Sequence, residues 1–299
     1  MIGYVGLGAM GGALARRLAS AHPVMVLDRE PRAVQALLDV GAVPAADIRE
    51  LGKRCSTVLL CLPTSDHVRE LLHGDEGLLA SLSPGSLVVD QTSGDPAATR
   101  ELAAELAQHD VTLVDAPVSG GPPRALAGTI SIMVGADDAA FERVQPVLSS
   151  LSTNVFRAGG VGAGHAMKLV NNVMSGAQRL LTFECLALAA KNGIPPETAF
   201  TILMAGGARN SFLENVVGPS ILGGQPAPDF TLRLAHKDVR LACQMGAESG
   251  VPMPFGHVAL EFLEACIEQL GADAKVDQAA LVAEKLAGTH IVASTLIFE

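Results

Sequence analysis

Lys168 and Asn172 stand four residues apart in a stretch of helical apolar spacing, so their side chains share one helix face. Met167, Leu169 and Val170 pack elsewhere on the same turns. A lone helical lysine is usually a solvated surface charge. This one lies in the first turns of a helix that joins two differently patterned halves of the chain, where a cleft is expected. A second segment, DAPVSGGPPRALAGT at 115–129, begins at the end of a predicted strand, where open α/β sheets place their ligands. Ser119, Gly120 and Gly121 can present a hydroxyl and successive backbone N–H groups to a carboxylate there. Gly-Gly followed by Pro122-Pro123 suits an ordinary turn equally well.

A third segment, GLGAMG at 6–11, follows an apolar strand directly and opens a helical pattern. Gly6 permits the tight turn, Gly8 lets backbone approach a pyrophosphate, and Gly11 allows close helix–strand packing. The loop of Gly6, Leu7, Gly8, Ala9, Met10 and Gly11 then places a helix N-terminus at the phosphates. Asp28 ends the second predicted strand, 20 residues after Gly8, where a carboxylate accepts from ribose hydroxyls and repels a 2′-phosphate. That favours NAD, although Arg29 and Arg32 follow closely and would partly neutralise a phosphate, which leaves NADP open.

The elements that position these residues follow from apolar spacing. Short runs at Ile2–Val5, Val24–Leu27, Val58–Leu60, Leu87–Val89, Thr112–Asp115 and Ile130–Val134 read as strands of a parallel sheet. Thr153–Phe156 adds a last strand. Helical stretches such as Gly11–Ala21, Pro31–Leu38 and Pro96–Gln108 fall between them. From Ala166 the pattern becomes continuously helical to about Lys191, where Asn192-Gly193 and Pro195-Pro196 stop it. Further helices are expected at Leu234–Glu248 and His257–Leu270, and from a cap at Asp277 to Gly288, with a Gly/Pro-rich loop at Gly218–Pro228. The fold class is α/β: a doubly wound Rossmann-type domain over residues 1–160, joined by the long helix to an all-helical domain over 161–299.

Composition bounds the rest. The 299 residues carry a formal net charge of −10 and no basic stripe, which argues against nucleic acid as a partner. Five cysteines without a CxxC pair suit reduced thiols in a cytoplasmic protein, each a small core hydrophobe. No apolar run is long enough to span a bilayer, so no membrane partner is expected. The eight histidines form no metal-ligand cluster, and no G-x-S-x-G elbow of a hydrolase appears.

Together, GLGAMG, DAPVSGG with the later Gly128-Thr129, the G-x-G-x-x-x-K-x-x-x-N of 162–172 and Lys237-Asp238 resemble the β-hydroxyacid dehydrogenase family over nearly the whole length. The resemblance implies a hydride transfer between NAD(P) and a small β-hydroxy acid, with Lys168 catalytic. It implies that Ser119, Gly120, Gly121 and Asn172 bind a small carboxylate substrate. Leu62, Pro63 and Ser93 are implied to contact the cofactor, as are Asp28, Arg29 and Lys237 beside the loop of 6–11. In QTSGDP at 91–96 the chain has Thr92-Ser93 where relatives commonly have Ser-Thr, so the hydroxyl survives. The resemblance also implies a homodimer or homotetramer. A semialdehyde reductase, an imine reductase (disfavoured by the lysine at 168) and a non-catalytic dinucleotide sensor are the competing readings. The side-chain pocket is expected to involve residues such as Arg124, Arg209, Phe212 and Phe230.

Overall fold

The computed structural model describes residues 1–74, 77–225 and 230–292. It divides into two compact units, Met1–Lys168 and Leu169–Glu299. The first opens with β1 (Ile2–Val5), α1 (Ala9–Ala19), β2 (Val24–Leu27), α2 (Pro31–Gln35), β3 (Val43–Pro44) and α3 (Ile48–Arg54). β4 (Thr57–Leu60), α4 (Ser65–His73), β5 (Leu87–Asp90), α5 (Pro96–Ala107) and β6 (Thr112–Asp115) follow. Then come β7 (Val118–Ser119), α6 (Gly121–Ala127), β8 (Ser131–Gly135), α7 (Asp138–Leu151), β9 (Asn154–Gly159) and the start of α8 (Ala163–Lys191).

Among the described residues the strands form one sheet of order β3-β2-β1-β4-β5-β6-β8-β7, with β9 against β8. β1 is flanked by β2 and β4, both parallel to it, so the winding direction reverses there and opens a crevice at the strands' C-terminal ends. Side chains alternate between two cores, as the two-residue period of a strand requires. Tyr4, Val24, Val26, Leu59 and Val89 join Leu14, Leu18, Val144 and Leu148 of α1 and α7 on one face. Val5, Met25, Val58, Leu60 and Val88 join Leu51, Val68, Leu72 and Leu102 of α3, α4 and α5 on the other.

The sheet is not parallel throughout. β8 runs antiparallel to β6 and β7, with Val118 opposite Ile132. The link from β6 to β8 holds only β7 and the seven-residue α6, so the chain doubles back instead of crossing over. β9 is again parallel to β8, since the longer α7 makes that crossover. α2 also stops at Gln35, short of the predicted Leu38, and a 3-10 turn at Leu38–Val40 follows it.

The second unit holds the rest of α8, then α9 (Pro196–Ala205), α10 (Leu232–Ser249), α11 (Pro254–Leu270) and α12 (Ala279–Ala287). Their apolar faces meet in one core that includes Leu180, Phe183, Val217, Val239, Leu263 and Val282. Several sequence expectations are corrected. α8 begins at Ala163 instead of 166 and α11 at Pro254 instead of His257, the latter with Pro254 in its first turn, where the missing N–H costs nothing. The first part of the expected Gly218–Pro228 loop belongs to a π-helical segment, Leu213–Leu222, started by Asn210, whose Oδ1 accepts from Phe212 N and Leu213 N at 3.0 Å each. Residues 226–229 of that loop lie outside the described residues.

Asp277 is not a helix cap. It lies in a 3-10 turn, Val276–Gln278, where its buried carboxylate is 2.9 Å from Arg179 Nε. Phe212 packs edge-on against Phe183 in the core, with the Arg179 guanidinium 4.8 Å over its ring. Cys185 is exposed, whereas Cys55, Cys243 and Cys266 are buried.

Candidate active site

The predicted residues of the first unit collect at one edge of the sheet, the C-terminal ends of its parallel strands. The loop of 6–11 follows β1, Leu62 and Pro63 follow β4, Ser93 follows β5, and Ser119, Gly120 and Gly121 follow β6. Asp28 and Arg29 follow β2. In the second unit, Asn172 lies on α8 and Lys237 on α10.

The three loop glycines serve different ends. Gly6 has φ +90°, and a Cβ there would lie 2.3 Å from Cys61 O. A Cβ on Gly11 would lie 1.9 Å from Gly6 O, so the helix passes too close to the strand for any side chain. Gly8 has a φ of −58°, and a Cβ there would meet nothing within 4 Å. The protein's own packing therefore does not require Gly8, and its backbone is open to the approach of an external group. α1 has no side-chain cap and no acidic residue in its first turn, which leaves its dipole open to an anion. These features fit a dinucleotide pyrophosphate.

Asp28 is tied into the same loop. Its Oδ2 accepts from Leu7 N at 2.5 Å and its Oδ1 from Glu30 N at 2.8 Å. Each oxygen keeps a lone pair, so the carboxylate is oriented and still able to accept from a diol. Arg29 is exposed and only loosely paired, 3.7 Å from Glu70.

Next along the edge, Leu62 N donates to Thr92 Oγ1 at 3.1 Å, and Thr92 N donates to Asp90 Oδ1 at 2.9 Å, which locks the ends of β4 and β5 together. The Tyr4 hydroxyl donates to Gln91 Oε1 at 2.7 Å. Burial, with Asp90 nearby, pushes the Cys61 thiol up to about 12, so it stays protonated and is no nucleophile.

Lys168 owes its position to a carboxylate far away in sequence. Asp115, fully buried at the end of β6, accepts from Gly162 N at 2.7 Å and His165 N at 2.8 Å and so caps the start of α8. This explains why the helix begins earlier than apolar spacing indicated. Burial raises the Asp115 carboxyl, and His165 and the two N–H donors oppose that shift. A Cβ on Gly164 would lie 2.4 Å from Met133 O, and Gly162 has φ +86°, so both glycines let the helix start sit against β6 and β8. Lys168 stands one turn beyond His165.

Loop 119–121 bends through Gly120 at φ +138° and Gly121 at φ +80° into α6, where Arg124 packs over Gly120. In the second unit, Asn172 Nδ2 donates to Asp238 Oδ2 at 2.6 Å and accepts on Oδ1 from Asn171 Nδ2 at 2.9 Å. Lys237 Nζ lies 3.2 Å from Asp238 Oδ1. The buried Asp238 thus orients both predicted residues of that unit.

Residues 1–160 match the family model described as the NAD binding domain of 6-phosphogluconate dehydrogenase. Residues 162–283 match the model described as NAD-binding of NADP-dependent 3-hydroxyisobutyrate dehydrogenase. The 3-hydroxyisobutyrate dehydrogenase of Pseudomonas aeruginosa is 36% identical over 266 residues, covering 86% of this chain and 89% of that one. The chain belongs to the β-hydroxyacid dehydrogenase family. The 2-(hydroxymethyl)glutarate dehydrogenase of Eubacterium barkeri is 35% identical over 264 residues, covering 88% of each chain. The crystal structure of 3-hydroxyisobutyrate dehydrogenase from Salmonella typhimurium has a TM-score of 0.85 at 27% identity, covering 94% of this chain and 99% of that one. This dehydrogenase is an NAD(P)-dependent oxidoreductase acting on a CH–OH group.

Sequence reasoning singled out neither Asp115, Thr99 nor His165 as site residues, and it quoted Asp238 only as part of a pair. Asp115 and His165 both stand inside the quoted motifs, but a carboxylate capping a helix 47 residues away has no local signature. No helix of the described residues is long and apolar enough to cross a membrane.

Proposed function

We propose that this dehydrogenase oxidises a 2-substituted 3-hydroxypropionate with NAD, using Lys168 as general base, and as general acid in the reverse direction. The observation that carries the reading is the Asp115 clamp, which fixes the turn before Lys168 at the edge of the sheet where the dinucleotide loop opens. The two relatives named above have substrates that share HOCH2–CH–COO⁻, which supports that substrate class.

In this reading the substrate carboxylate binds the Ser119 hydroxyl and the N–H groups of Gly120 and Gly121. Its hydroxyl proton passes to the Lys168 amine, and Asn172, oriented by Asp238, holds the substrate oxygen or the lysine in place. A bound dinucleotide supplies the hydride acceptor. The loop of 6–11, with Leu62, Pro63 and Ser93, holds that cofactor, and Lys237 is assigned to its nicotinamide end. Lys168→Ala is expected to lower turnover by about two or more orders of magnitude while dinucleotide binding persists; near-normal turnover overturns the assignment.

The oriented, anionic Asp28 supports NAD over NADP. A kcat/KM ratio for NAD over NADP below one refutes that preference. A panel of 3-hydroxyisobutyrate, 2-(hydroxymethyl)glutarate and L-serine, run against tartronate semialdehyde with reduced cofactor, tests substrate class and direction. We further propose self-association with a second copy through α8. Met174, Leu181 and Leu188 repeat every seven residues along it and are 63%, 59% and 66% exposed. Light scattering that returns only monomer rejects this. The odd number and wide spacing of the cysteines support a reducing, cytoplasmic setting.

A further inference from the structure

His165 is completely buried, yet neither its cost to the fold nor its place is accounted for by packing alone. Its Nδ1 lies 2.7 Å from Thr99 Oγ1. The Thr99 hydroxyl has a single proton, and its contact of 2.8 Å with the carbonyl oxygen of Asp95 consumes it. His165 Nδ1 must therefore carry a proton and be the donor to Thr99. The other nitrogen, Nε2, is buried with no hydrogen-bond partner and faces Asp90 Oδ2 at 3.9 Å. An apolar side chain would fill the same space without burying an unsatisfied nitrogen, so a polar ring here calls for a functional explanation.

The surroundings supply one. Above the ring lies Gly94, where a Cβ would sit 3.0 Å from His165 Cε1; Gly94 directly follows Ser93, assigned above to the cofactor. Below it, the His165 backbone N–H is the one held by Asp115, and Lys168 follows one helical turn later. One imidazole thus touches the loop after β5, the first turn of α5 and the turn that leads to the lysine.

We propose that His165 is a positioning residue for Lys168: its Nδ1–H bond to Thr99 locks the first turn of α8 to the first turn of α5, beside the loop that carries Ser93, and so fixes where the amine meets the substrate. This rests on the reading of Lys168 as the acid/base group. A lysine displaced by about 1 Å loses on the order of 100-fold in rate, so the lock is expected to appear in kcat.

The test compares three variants with the full-length enzyme, each measured for kcat, substrate KM and dinucleotide Kd. His165→Phe keeps bulk and removes both nitrogens; it is expected to lower kcat roughly 10- to 100-fold with dinucleotide Kd within about two-fold. His165→Asn keeps a donor where Nδ1–H stands and is expected to recover most of that loss, whereas His165→Gln, whose amide reaches the Nε2 position, is not. Should His165→Phe fail to fold, the contrast between the Asn and Gln variants decides alone. Nitrogen-15 spectra of histidine-labelled protein are expected to show His165 protonated at Nδ1, with that signal shifted in Thr99→Val. Equal kcat in the Asn and Gln variants, or protonation at Nε2 only, overturns the proposal. In a Lys168→Ala background, His165→Phe is expected to add no further loss; an additive loss also overturns it. Full activity of Lys168→Ala by itself would instead sink the lysine assignment, so the two failures are distinguishable.

Discussion

Replacing Asp115 with alanine strips the start of α8 of both its acceptors, the carboxylate oxygens that take Gly162 N at 2.7 Å and His165 N at 2.8 Å. Hydrogen bonds to a charged group contribute about 1.5–3 kcal/mol each, and the two buried N–H groups would be left without partners. Burial, which raises the Asp115 carboxyl, offsets part of this, because the ionised form is already held at a cost. The net loss is expected to be about 2–4 kcal/mol, a large share of the stability of a domain this size. In calorimetry of the dinucleotide-free protein this corresponds to a fall in Tm of about 5–15 °C. A loss below about 1 kcal/mol refutes the view that this carboxylate, and not local helix propensity, starts α8.

The same residue sets a pH signature. With its folded pKa raised, native Asp115 binds its proton more tightly than the unfolded chain does. Its contribution is full below the ordinary aspartate range and is lost as pH rises through the raised value. The stability gap between wild type and Asp115→Asn is therefore expected to narrow as pH rises above the ordinary aspartate range. A gap that widens as pH rises contradicts the assigned direction.

Three further substitutions follow from the geometry. Gly8→Ala is expected to cost less than about 1 kcal/mol of stability, since its Cβ meets no protein atom, while weakening dinucleotide binding by about ten-fold or more. Gly11→Ala is expected to destabilise the fold itself, its Cβ falling 1.9 Å from Gly6 O; calorimetry and fluorescence titration with NADH separate the two, and equal Tm losses would show that Gly8 is a packing glycine. Arg179→Met leaves the Asp277 carboxylate buried without its cation, at a cost of about 3–5 kcal/mol near neutral pH. Because burial already raises Asp277, that deficit is expected to shrink in acid as the carboxyl protonates; urea melts that show it growing toward acid reject the pairing.

The first unit was legible wherever its signals are local. Strand runs such as Ile2–Val5 and Thr112–Asp115 are apolar stretches bounded by turn residues, and Gly6 and Gly11 mark backbone conditions that only glycine meets. The motif strings also named the family, since four of them in order are specific where one is not. Legibility ended where a residue's partner is remote. The reversal of β8, the π-helical turns around Pro219 and the pairing of Asp277 with Arg179 all depend on what the chain returns to touch.

The lysine helix shows the same division at the site itself. Periodic apolar residues after position 165 determined that a helix carries Lys168 and Asn172 on one face. Where that helix starts, which carboxylate holds it, and which hydroxyl His165 Nδ1 meets were decided only by folding. Those choices belong to hydrogen bonds from β6 and α5, joining residues 47, 50 and 66 positions apart. Periodicity records how a segment buries its own face; the partner of a buried polar group is set by the sheet that brings distant strand ends together.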